Sequence, residues 1–294
     1  QDTLMNINIF LSLLFLLCLT GCNFNAAQVP TQTPPASPTS LPTPTKDPNA
    51  WELVWSDEFE QPDGSPPDPS KWNHQQGGAG WGNGELQHYT DSIENSFIQD
   101  GMLVIRAKEE EMMGRNYTSA RLNTLFKGDW TYGRFEIRAR LPTTQGIWPA
   151  FWLLPSRGRY GSGAAGGEID IMELVGSEPG RSYATLHFGN PAARSTGYYD
   201  LPAGIAFSDD FHVFSLEWEP EEIRWYVDGA LFHTASEWFT TGRKDARPPA
   251  PFDQDFHLLI NVAVGGHWPG SPDETSVFPQ MMFVDYVRVY QHPK

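Results

Sequence analysis

The chain has 294 residues and carries 36 Asp and Glu against 20 Lys and Arg, a formal net charge of −16. That balance argues against a nucleic-acid partner, which needs clustered Lys and Arg to neutralise phosphates, and disfavours a polyanionic substrate; a neutral polymer fits it, and so does plain solubility. The only two cysteines, Cys18 and Cys22, lie near the start, so the rest of the chain has no disulfide, no CxxC metal site and no cysteine nucleophile.

From Met5 to Cys22 runs MNINIFLSLLFLLCLTGC, an apolar stretch closed by small residues and a cysteine. It is near the lower limit for spanning a bilayer and flanked wrongly for it, so residues 1–22 read as a secretion signal. The ending LTGC resembles the bacterial lipobox, in which the chain is cut before the cysteine and the thiol, here that of Cys22, is lipidated. The absence of Lys or Arg ahead of the apolar run departs from that pattern. Residues 23–49 are rich in Pro, Thr and Ser, cannot bury enough apolar surface to offset their ordering entropy, and read as an extended linker. The expectation is an exported protein, either a lipoprotein of a bacterial cell envelope or extracellular, that meets membrane only through its lipid and acts as a monomer.

Residues 50–294 are one domain's worth of chain. GMLVIRAK, from Gly101, is strand-like. GRFEIRARLP alternates Phe135, Ile137, Ala139 and Leu141 against Arg134, Glu136, Arg138 and Arg140, the pattern of a half-buried antiparallel strand. EIRWYVDGALFHTA sets Asp228-Gly229 between two strand-like runs, a strong hairpin signal. FHLLINVAVGG and MMFVDYVRVY are further strands. In the last, Asp285 falls on the face of Phe283, Val287 and Val289, where a lone carboxylate needs a partner. With no internal repeat and no strong helical period, these elements predict an all-β sandwich or jelly roll.

The segment GGEIDIMELVG puts Glu168, Asp170 and Glu173 into six residues of otherwise apolar chain. In a regular strand Glu168 and Asp170 share one face, while Glu173 joins Ile169 and Ile171 on the other and carries a charge into the core, at a cost of roughly 3 kcal/mol or more. A one-residue β-bulge at Met172 removes the conflict: Ile169, Ile171 and Leu174 face inward and all three acids line up outward. Like charges so close repel, so at least one acid holds its proton near neutral pH. One ionised and one protonated carboxyl is what hydrolysis of a glycosidic bond requires. The spacing, roughly 13 Å between the Cα atoms of Glu168 and Glu173 at ~3.3 Å per strand step, does not by itself choose between retention and inversion. A calcium site is disfavoured by the absence of an EF-hand-like spacing, and a solvated edge strand by the isoleucines behind the acids.

GEIDIMELVG, together with GIWPAFWLLP, WGNGELQHYT, NVAVGGHWPG and MFVDYVRVY, resembles glycoside hydrolase family 16, in particular its bacterial laminarinase-like β-1,3-glucanases, in the family's order from Trp51 to Tyr290. The resemblance implies a β-jelly roll of two stacked, curved antiparallel sheets of the concanavalin A-like kind, a cleft on the concave face, and a retaining double displacement without a catalytic cofactor. Glu168 is then the nucleophile, Glu173 the acid/base, and Asp170 the residue that supports and tunes the nucleophile. The extra residue at Met172 matches the bulged branch of the family, which lichenases and xyloglucan transferases typically lack.

Sugar rings present flat C–H faces that tryptophan stacks on, while amides, Arg and His pair with hydroxyls. Trp148, Trp152 and Trp268 lie in segments that resemble the family's substrate-binding strand and loop; with 11 tryptophans in the chain, some belong to the core. Asn83, Arg121 and His187 match polar positions of the family's negative subsites, and His187 equally fits a satisfied core histidine. His267 departs from the more common Asn in GGxWPG. The resemblance also implies a structural calcium on the convex side, held by Asp285, Glu58 and Gly101. A neutral β-glucan is the expected partner. Mixed-linkage glucan, a marine galactan such as agar or κ-carrageenan, and a non-catalytic carbohydrate-binding module are the alternatives.

Overall fold

Short runs of alternating side chains, closed by Gly, Pro and Asp turns, give the described residues strands and almost nothing else. The computed structural model describes residues 50–293; the expected signal segment, Cys22 and the expected linker lie outside the described residues. The described strands are β1 (Glu52–Asp57), β2 (Asn73–His74), β3 (Gln87–Tyr89), β4 (Ser96–Gln99), β5 (Met102–Met112), β6 (Arg115–Ser119), β7 (Arg121–Asn123), β8 (Asp129–Trp130), β9 (Gly133–Arg140), β10 (Ile147–Pro155), β11 (Glu168–Glu173), β12 (Arg181–Phe188), β13 (Ala193–Asp200), β14 (His212–Trp218), β15 (Ile223–Val227), β16 (Ala230–Ala235), β17 (Phe256–Val264) and β18 (Gln280–Gln291). One 3-10 turn, Gly163–Ala165, interrupts them.

Two sheets form. The first runs β16-β15-β14-β9-β18-β5-β6-β3, with β1 also on β18 and β4 on β5; the second runs β13-β12-β11-β10-β17-β7-β2, with β8 on β17. Apart from the parallel pair β3 and β6, neighbours are antiparallel, as in a jelly roll. The inner faces meet in a core to which Phe135, Ile137 and Val287 of the first sheet and Phe151, Leu186 and Ile260 of the second contribute.

The alternation in β9 is realised residue by residue, Phe135, Ile137 and Ala139 buried and the charged residues between them half-buried. Asp228 and Gly229 take φ of 50° and 78°, the left-handed pair a two-residue hairpin turn needs. All nine residues of β17 are buried, one face on the core and the other beneath the floor of a cleft.

β18 corrects one expectation. Its register against β9 shifts between Val284 and Tyr286, a bulge that turns Asp285 outward. The buried set is Met282, Val284, Val287 and Val289, not the set containing Phe283. Asp285 is 36% exposed and bonds Arg138, whose Nη1 donates to Oδ2 at 2.6 Å. A carboxylate that the simple alternation sends into the core is thus carried out by one extra residue.

Candidate active site

The acid strand β11 is bulged as its composition demands. Against β10, Met172 faces Phe151 and Asp170 faces Trp152, leaving Ile171 with no opposite residue. Against β12, Asp170 faces Thr185 and Glu173 faces Tyr183, three steps matched by two. The bulge therefore spans Ile171 and Met172, and both side chains go inward with Ile169 and Leu174, each at most 2% exposed. Trp225, fully buried on β15 of the other sheet, donates its Nε1–H to the Asp170 carbonyl at 2.9 Å. The backbone acceptor just ahead of the bulge is thus satisfied from beneath.

Glu168, Asp170 and Glu173 emerge together in a cleft of ≈ 650 Å³ on the outer face of the second sheet. Burial raises the pKa of Glu168, opposed by His187, by Arg121 and by a hydrogen bond from Asp170. Burial pushes Asp170 well above the usual carboxylate range, and the neighbouring Glu168 pushes it further. Glu173 is also driven well up, by burial first and then by Asp170 and Glu168; a hydrogen bond from Trp148 Nε1, 3.1 Å from Oε1, opposes the shift. Arg121, His187 and the Asp170 hydrogen bond oppose the rise at Glu168, whereas at Glu173 His187 and Trp148 work against burial and two neighbouring carboxylates, so of the two Glu168 is the one better suited to the ionised state.

All nine side chains singled out in sequence for catalysis or sugar binding line this one cleft: Glu168, Asp170 and Glu173 with Asn83, Arg121, Trp148, Trp152, His187 and Trp268. Arg121 is sandwiched between the Trp81 and Trp152 rings, 4.6 Å from each, and its Nε donates to Gln75 Oε1 at 2.6 Å. Trp152 is anchored, its Nε1 donating to Asn261 Oδ1 at 2.7 Å. Trp148 meets Trp268 edge-on at 5.5 Å, and Trp268, 44% exposed, also meets Tyr183 at 5.0 Å. An exposed aromatic face beside the acids is a surface for a sugar ring. His187, opposite Glu168 in the ladder, faces the cleft and not the core.

Sequence reasoning did not assign Glu85, Tyr183, Thr185, Arg194, Thr196 and Asn261, all of which line the cleft. Glu85 is 3% exposed and accepts from Asn83 Nδ2 (3.0 Å), Gln87 Nε2 (2.6 Å) and the Tyr89 hydroxyl (3.2 Å). Tyr89 in turn accepts from Asn261 Nδ2 at 3.1 Å. One polar chain therefore ties Asn83 to Trp152, fixing two cleft walls through a buried carboxylate. The signal was the period-two spacing of Glu85, Gln87 and Tyr89.

The three residues expected to hold calcium lie elsewhere. β1 pairs Asp57 with Val287, and β5 pairs Leu103 with Val284, so the register brings Glu58 and Gly101 to backbone positions flanking the Asp285 bulge. The two carboxylates of the set nevertheless face cations: Glu58 accepts two bonds from Arg288, at 2.9 and 2.8 Å, and Asp285 accepts from Arg138. Oxygen donors are present there, but each carboxylate already has a counter-charge.

A jelly roll that sets three carboxyls with raised pKa values side by side on a bulged strand, in a cleft lined by tryptophans, has the architecture of a glycoside hydrolase. The model of glycosyl hydrolases family 16 matches residues 85–287, and the chain belongs to that family. It is 49% identical over 250 residues to a β-glucanase of Rhodothermus marinus, covering 82% of this chain and 85% of that protein. Among solved structures it is similar to the laminarinase of Rhodothermus marinus (TM-score 0.74, 47% identity, 83% of this chain and 99% of that one). It is similar too to the laminarinase catalytic domain of Thermotoga maritima (TM-score 0.72, 43% identity, 83% and 99%).

Proposed function

We propose that the chain is a retaining endo-β-1,3-glucanase acting on laminarin-like β-glucans. The observation that carries the reading is the convergence of Glu168, Asp170 and Glu173 from one bulged strand in one cleft, with the pKa of Glu173 driven well up by burial and that of Glu168 held back by Arg121, His187 and Asp170. Glu168 attacks the anomeric carbon while Glu173 gives its proton to the leaving glycosidic oxygen; Glu173 then takes a proton from the incoming water, whose oxygen displaces Glu168. The hydrogen bond from Asp170 stabilises the Glu168 carboxylate both before attack and as it leaves. Trp148 orients Glu173, and Trp268 offers its face to a sugar ring. The β-1,3-glucan comes from the laminarinases this chain resembles, and the neutral polymer agrees with the net charge of −16.

Reducing-end release by residues 50–294 from laminarin, beside barley mixed-linkage glucan, agarose and κ-carrageenan, tests it, with Glu168→Gln as control. Laminarin cleavage lost in the variant supports the reading. Cleavage of a galactan but not laminarin moves the substrate, and silence on all four favours a sugar-binding module.

Cys22 lipidation would hold a monomer at the cell envelope by the Pro/Thr-rich linker; release of the full chain from membranes by Cys22→Ser tests it. Calcium at Glu58, Gly101 and Asp285 would stiffen the seam of β1, β5 and β18, the support being their convergence at one bulge. A melting temperature that calcium leaves unchanged after chelation sinks that part.

A further inference from the structure

His187 Nε2 stands 3.2 Å from Asp170 Oδ2. The distance suits a hydrogen bond, yet Asp170 Oδ2 makes none: it is a buried oxygen without a hydrogen-bond partner, on a side chain whose residue is 2% exposed. Such an atom is costly unless something else meets it. Two ligands of one tetrahedral ion, each about 2.0–2.1 Å from the metal, stand about 3.3 Å apart. An oxygen of Glu168 completes a set in which all three donor atoms lie within 4.8 Å of one another.

The backbone holds these donors ready. Glu168 and His187 are opposite each other in the β11–β12 ladder, and Asp170 is two residues along the same face, so all three rise from paired strands and not from loops. The Trp225 bond to the Asp170 carbonyl locks the bulge below them. Two carboxylates and an imidazole, facing an open cleft that can supply water as further ligand, are the donor set of a borderline-soft divalent ion; an all-oxygen shell would instead suit magnesium or calcium.

We propose that Glu168, Asp170 and His187 form a binding site for one divalent transition-metal ion of the Zn²⁺ class, and that ion and glycan exclude each other. The excluded region is the reaction centre itself, so the ion acts as a reversible plug: it takes the oxygen of Glu168 that would attack the sugar. The site does not require that the glycan be a β-1,3-glucan.

Calorimetric titration of chelator-treated protein with ZnCl₂ in a non-coordinating buffer tests it, with MgCl₂ as the parallel titrant and Co²⁺ as a spectroscopic probe. One Zn²⁺ per chain, little heat with Mg²⁺, and visible Co²⁺ bands of the intensity of a four- or five-coordinate ion are expected. His187→Gln and Asp170→Asn, each checked for native circular dichroism, should each weaken Zn²⁺ by about tenfold or more. Absent Zn²⁺ heat, a Co²⁺ spectrum like that of the hydrated ion, or unchanged affinity in both variants overturns the site. Saturating laminari-oligosaccharide should suppress the Zn²⁺ heat; undiminished heat with the sugar demonstrably bound overturns the exclusion. A protein that binds Zn²⁺ through these residues and ignores laminarin keeps the site and loses only the glucan reading.

Discussion

Two strands of this molecule use the same device for opposite ends. In β18 a bulge turns Asp285 out of the core to meet Arg138, and the carboxylate ends 36% exposed with a guanidinium bonded to it. In β11 a bulge turns Glu173 out beside Glu168 and Asp170, and the three end in a cleft where burial raises every one of their pKa values and repulsion raises those of Asp170 and Glu173 further. A bulge alone says only that a charge left the core. What separates structure from chemistry is whether the surroundings neutralise the charge or leave it strained, since a raised pKa is free energy held in the folded state.

The contrast is sharpest in turnover. Glu168→Gln removes the nucleophile and should lower kcat on laminarin by about 10⁴-fold or more, while Glu173→Gln costs about 10²–10⁴-fold and less on an aryl glycoside, whose leaving group needs little proton assistance. The pH–rate profile follows from the same shifts. Activity falls at low pH as Glu168 takes up a proton, and at high pH as Glu173 loses its own. Because both values are raised, the bell sits above that of two ordinary carboxyls. Glu173→Gln should erase its alkaline limb, and an unmoved limb would transfer the acid role elsewhere.

Next in size is the bulge itself. Deleting Met172 leaves Glu168, Asp170 and Glu173 at strict two-residue spacing, so a regular strand keeps all three acids outward, and the cost is the loss of a fully buried side chain: stability should fall by about 2 kcal/mol or more, with the acids still in the cleft. Equilibrium unfolding in urea measures the loss, and residual laminarin hydrolysis reports the acids; a folded but wholly inactive variant would show that regular alternation does not keep Glu173 in the cleft.

Much of this was legible from residue order. The three acids among isoleucines announced a bulge because the alternative is a buried charge, and Asp228-Gly229 announced its hairpin because few residues accept two successive positive φ angles. Contacts distant in sequence were not legible. Nothing in GELQHYT says that Tyr89 will meet Asn261, or that Trp225 will reach under the sheet to Asp170, since both depend on how separate strands stack. Asp285 misled for the converse reason: a strand whose alternation looks acceptable gives no warning of an inserted residue.

A smaller effect separates the two bulges by stability. The folded-state pKa of Glu173 lies above its unfolded value, so its burden is absent below the ordinary carboxylate range and grows as pH rises toward the folded value. Glu173→Gln should therefore match the parent in acid and melt higher near neutrality, a gain of about 1 kcal/mol reading as roughly 2–4 °C. A variant that melts lower at neutral pH would mean that the acids are not strained.

The smallest effect belongs to Asp285. Its bond to Arg138 is solvent-screened at 36% and 38% exposure, so without calcium Asp285→Asn should cost no more than about 1 kcal/mol and leave laminarin hydrolysis unchanged. If calcium also sits at that bulge, the melting temperature of the parent rises with added calcium and that of Asp285→Asn does not. The two carboxylates would then differ in kind: one satisfied twice over by cations, the other held unsatisfied because the reaction consumes its strain.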